Sequence, residues 1–166
     1  EGNQNVFIGT NSGKVSESGN NNVFLGYNSG YSNNSSNMNV FVGTNAGYEN
    51  TTGGSNVFLG ANTGYSNKGT KNVFLGTETG KNNKGNENVF AGHNTGTSVQ
   101  GNYDTFIGYQ AGMTGNGDYN VFIGYNTGAN NEGDYNVFLG SNAGGCNDGN
   151  QDTFVGYNSG YDNTGN

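Results

Sequence analysis

Asn120-Val121-Phe122-Ile123-Gly124-Tyr125-Asn126-Thr127-Gly128 decides the fold, because the other nine Phe residues of this 166-residue chain stand in versions of the same phrase. The Phe positions are Phe7, Phe24, Phe41, Phe58, Phe74, Phe90, Phe106, Phe122, Phe138 and Phe154, at intervals of 17 and then 16 residues. A unit this short cannot bury an apolar face alone, so each copy must pack on the copies before and after it. The pattern predicts one elongated domain over residues 1–166, as a complete stack or as part of a longer array.

Composition alone points elsewhere. Leu, Ile, Val and Phe together make 29 residues against 33 Gly and 35 Asn, a balance typical of disordered chains. Column order overrules it, because disordered tracts do not align every Phe with an aliphatic residue on its C-terminal side. Val-Phe-Ile/Leu has the residue types of a short strand, and the glycine density excludes helix. Glycine recurs two and six residues after each Phe, and again near position eleven or twelve, marking bends or close backbone approach. Only Asn116-Gly117 has the Asn-Gly order that favours tight hairpins, so parallel strands are expected rather than antiparallel ones.

The fold class read from this is all-β: a parallel β-solenoid, or β-roll, of about ten 16–17-residue coils with two short strands per coil. Ten coils at ~4.8 Å give a rod on the order of 48 Å long. The second strand is expected in the segment that begins with the small residues Ser12, Ser29, Ala46, Thr63, Thr79, Thr95, Ala111, Thr127, Ala143 and Ser159. Asn columns lie two residues before and four after the Phe, where stacked amides can bond along the rod. Where the first column turns to Asp, at Asp104 and Asp152, the next residue turns to Thr105 or Thr153, a hydrogen-bonding variant of strand entry.

N-V-F-I-G-x-N-x-G resembles the N-S-V-A-I-G-type repeats of the left-handed parallel β-roll in YadA-like trimeric autotransporter heads and some phage tail fibres. The resemblance extends over all ten units, with a longer unit here and Phe where that family has a small residue. It implies a trimeric, extracellular adhesive or fibre module at a cell surface or on a phage.

Side chains alternate along a strand, so Val6 and Ile8 face one way and Phe7 the other. Both faces are apolar, and one of them must be covered from outside the coil. The expectation is that the ten Phe residues face outward as a self-association surface. The alternative puts Phe inside and the Val and Ile/Leu columns at the contact. Glu1-Gly2-Asn3 and Thr164-Gly165-Asn166 share the phase of the internal turns, which adds head-to-tail stacking into a filament as an expected mode beside a trimer.

Other chemistry is sparse. His93 is the only His, Arg is absent, and no acid–base pair or nucleophile with its base stands out, so an enzyme is not expected. Nucleic acid is a poor partner for a chain of formal charge -7 whose five Lys all precede residue 85. No apolar run reaches the length of a membrane span. Cys146, alone, reads as a small turn residue. Cofactors are not expected; calcium would have to use the Asp and Asn beside Gly, as at Asp118 and Asp134, without the G-G-x-G-x-D phrase of calcium rolls. Glycans are a second candidate partner, read by Tyr rows that include Tyr27, Tyr109, Tyr125 and Tyr157. A third reading, ice binding, would use the line of Thr63, Thr79, Thr95 and Thr127 with Thr77 beside it. Asn33, Asn34 and Asn50 lie in glycosylation sequons.

Overall fold

A computed structural model describes residues 2–163 and shows an all-β parallel solenoid of about nine turns with no helix. Glu1 and residues 164–166, on which the head-to-tail expectation rests, lie outside the described residues. Ten three-residue strands carry the Phe phrase: β1 (Val6–Ile8), β2 (Val23–Leu25), β3 (Val40–Val42), β4 (Val57–Leu59), β5 (Val73–Leu75), β6 (Val89–Ala91), β8 (Thr105–Ile107), β10 (Val121–Ile123), β12 (Val137–Leu139) and β13 (Thr153–Val155). They form one parallel sheet in chain order, with Phe paired to Phe at every step.

The second strand is narrower than expected. Only Ser98–Val99 (β7), Thr114–Gly115 (β9) and Asn130–Asn131 (β11) pair as a second sheet among the described residues. In every coil the residues four and six after the Phe take left-handed conformation, for example Asn28 at φ 54° and Gly30 at φ 58°, so the segment runs as successive turns. Coil-to-coil main-chain bonds persist there nonetheless, as from Gly30 N–H to the Ala46 carbonyl at 2.9 Å.

The ten Phe residues are the core, which corrects the expectation that Phe7, Phe24, Phe41, Phe58, Phe74, Phe90, Phe106, Phe122, Phe138 and Phe154 face outward. Phe24, Phe41, Phe58, Phe74, Phe90 and Phe138 are fully buried, and their rings stack in steps of 4.7–5.0 Å. Phe7 is more exposed, at 37%, because only one neighbouring ring covers it. The reason for the inward choice is the second glycine column. A Cβ at Gly80 would stand 2.2 Å from the Phe74 ring, so the ring rests directly on the bare backbone of its own coil's turn. Only the Phe face of the strand meets that glycine surface.

Much of the rest of the interior is polar, and its amides are bonded in ladders. In the column two before the Phe, each Asn Oδ1 accepts the main-chain N–H of its counterpart in the next coil, as from Asn39 to Asn22 at 2.9 Å. Its Nδ2 donates to a turn carbonyl of its own coil, as from Asn88 to Gly101 at 2.9 Å. A second buried column nine after the Phe includes Asn33, Asn50, Asn67 and Asn83, whose amides bond coil to coil. Buried amides held this way avoid the desolvation penalty and fix register at every rung. The small-residue column is buried from Ser29 to Ala143.

Candidate functional site: the outward aliphatic face

With Phe inside, alternation places the Val column and the Ile/Leu column outside, side by side over ten coils. Val23 and Leu25 are 38% and 43% exposed on either side of the buried Phe24, and Val89, Ile107, Val137 and Leu139 repeat the pattern. Successive core rings lie within 3–8° of parallel from β1 to β12. The rings thus keep one orientation from coil to coil beneath the sheet. The sheet's outer surface carries these two apolar columns side by side along its length, a contiguous arrangement rather than the scattered single apolar side chains of an ordinary surface.

Two aromatic rows edge part of this face. Tyr103, Tyr119 and Tyr135, three before the Phe, stack at 4.7 and 4.9 Å, and Tyr109 and Tyr125, three after it, stack at 5.3 Å. Desolvation, then the neighbouring Tyr103, Tyr135 and Asp118, raise the Tyr119 hydroxyl above its ordinary pKa. All three residues of the first row hold φ near +60°, a costly conformation for an aromatic residue. Farther along that edge Lys71 Nζ pairs with Glu87 Oε1 at 2.9 Å, and this bond raises the lysine pKa.

Of the Tyr residues expected to contact glycans, the structure brings Tyr109 and Tyr125 together and leaves Tyr27 and Tyr157 apart, all exposed. The faces of Tyr119 are both covered by neighbouring rings, and stacking likewise covers one face each of Tyr109 and Tyr125. Thr63, Thr79, Thr95 and Thr127 are buried, with hydroxyls donating to the carbonyls of Gly76, Gly92, Gly108 and Gly140 in the next coil. This corrects the expectation of a surface Thr line for ice; only Thr77 is exposed. Of the sequon residues, Asn33 and Asn50 are buried in the ladder and Asn34 is exposed.

His93 lies beside Tyr109, with ring centroids 5.6 Å apart. Cys146 is half-buried and near Asn130, whose Nδ2 is 3.9 Å from Sγ. Among the described residues no cluster of three metal-ligating side chains and no pocket is present. Asp104 is the unusual interior group. Its Oδ1 accepts the Asn120 N–H at 2.8 Å like an Asn, but its Oδ2 is buried without a partner. Burial, chiefly, pushes its pKa up to about 8, with smaller contributions from Asp118 and Asp134 against the lowering bonds from Asn120. Thr105 faces outward as a partly exposed member of the Val column, so the paired Asp–Thr change is not one hydrogen-bonded unit here.

Compared with known protein families, with curated proteins and with solved structures, the chain matches none.

Proposed function

We propose that the chain is a structural module that self-associates through its outward Val and Ile/Leu face, as a homo-oligomer or a laterally packed fibre. The carrying observation is the ten-strand parallel sheet whose outer side presents exposed aliphatic side chains from strand to strand. An aliphatic surface of that extent costs free energy in water, and a second sheet packed face to face can cover it. The resemblance of the repeats to trimeric autotransporter heads and phage fibres supports placing such a module outside the cell or at its surface. Stacked Tyr rings lend less support to a glycan platform, because sugars pack on ring faces and stacking covers them.

Light scattering and electron microscopy of the purified protein at micromolar concentration should show oligomers or fibres. Leu59→Glu with Leu75→Glu, both exposed on the face, should shift the protein to monomer while leaving its melting temperature within a few degrees. A wild-type chain that stays monomeric and folded would overturn the reading.

A further inference from the structure

Which way round two copies would meet is also legible, granted the self-association reading above. Charge reverses along the rod between β5 and β6. Residues 1–84 carry five Lys and four acids, whereas residues 85–166 carry eight acids and no Lys or Arg. The Lys71–Glu87 pair sits at that reversal, one residue in each of the two adjoining coils, on the edge three positions before the Phe. Both side chains are substantially exposed, at 63% and 40%.

Two twofold axes can bring faces of this kind together. An axis along the rod keeps the rods parallel, sets the acidic half of one copy level with the acidic half of the other, and opposes Lys71 to the edge that carries Thr77. An axis parallel to the strands, passing between β5 and β6, makes the rods antiparallel and sets each edge against its own counterpart. Lys71 then meets the partner's Glu87, and Glu87 meets the partner's Lys71, forming a four-charge cluster at the axis. Of the five Lys only Lys71 lies on the edge three before the Phe, so the cluster at the axis is what distinguishes the two arrangements. Like charges in register are unfavourable and complementary ones fix orientation.

We propose that the partner of the aliphatic face is a second copy docked antiparallel, with its twofold axis between β5 and β6 and Lys71 of each copy against the partner's Glu87. The interface is isologous, its centre aliphatic and its rim electrostatic. Added salt weakens it by screening the rim.

Sedimentation equilibrium on three variants tests the charge pairing. Lys71→Glu and Glu87→Lys should each raise the dimer Kd by about tenfold, and the double reversal should bring it back to within about threefold of wild type. Single reversals that leave Kd unchanged would overturn the orientation. An independent readout uses cysteines in a Cys146→Ser background. Asn21→Cys mixed with Tyr135→Cys should form the crossed disulfide across antiparallel copies, because these positions are equidistant from the axis on one edge. Efficient coupling of Tyr135→Cys with Ser141→Cys instead would establish the parallel arrangement and sink the antiparallel one. If wild type shows no association at ~100 µM, the self-association reading itself fails, an outcome separate from association in the wrong orientation.

Discussion

Asp104→Asn should stabilise the protein at pH 7 by on the order of 4 kcal/mol and remove much of its loss of stability on going from acid to neutral pH. The Oδ2 of Asp104 lies 2.7 Å from the Cβ position of Gly101, where Asn88 Nδ2 lies 2.8 Å from that of Gly85 one coil earlier. In Asn88 this amide donates to a turn carbonyl; an ionised Asp has no proton to give. Asp152 occupies the same column in the last coil, and there Asn163 donates to its Oδ2 at 2.9 Å. The matching position in the Asp104 coil is Gly115, so no side-chain donor is supplied. A neutral carboxylic acid fits the site, in line with a folded pKa of about 8 against 3.8 in the unfolded chain.

The sign follows from linkage. Below pH 4 both states carry the proton and the group contributes no penalty. Between pH 4 and 8 the unfolded chain ionises while the folded one does not, so stability falls by up to ~1.4 kcal/mol per pH unit. Above pH 8 both ionise and this contribution levels off. Urea unfolding at pH 4, 6, 8 and 9 measures it: the advantage of Asp104→Asn should grow from pH 4 to 8 and then stay constant. An advantage independent of pH would show that the carboxyl titrates normally in the fold.

The sequence made the stacking legible because stacking needs identical residues at identical intervals, and Phe, Gly and Asn kept theirs. Parallel pairing and the amide ladder two before the Phe both followed from that regularity. Direction was harder. A three-residue strand with apolar groups on both faces does not say which face is inside, and the Phe column was expected on the outer one. What decides it is Gly80 and its equivalents, whose missing Cβ makes room for the ring, a relation between two turns of chain that spacing alone does not express. The left-handed residues three before the Phe were also hidden, because Gln4, Met38, Lys71 and Tyr119 share no property that announces φ near +58°. The aliphatic face, the candidate site, was visible as residues but not as a surface until Phe was placed.

Phe74→Ala should cost about 3–5 kcal/mol, whereas Val73→Ser and Leu75→Ser, its neighbours on the same strand, should each change monomer stability by less than about 1 kcal/mol. Phe74 is fully buried between Phe58 and Phe90, each 4.9 Å away, and lies against Gly80. Its removal leaves a ring-sized void that the surroundings cannot close. The flanking rings are held at their spacing by main-chain pairing of β4, β5 and β6 and by the Asn56–Asn72–Asn88 ladder, so collapse would break those bonds. The cost therefore belongs at the upper end of the range for aromatic truncations. Because each coil touches only its neighbours, the loss is also local, dividing the stack near its middle. Amide hydrogen exchange in Phe74→Ala should show protection lost first around β4 to β6, with the coils near β2 and β12 affected less. Assembly variants on the outer face should leave that exchange pattern as it is in the monomer, and a Phe74→Ala protein that stays fully stable but no longer associates would return the Phe column to the surface.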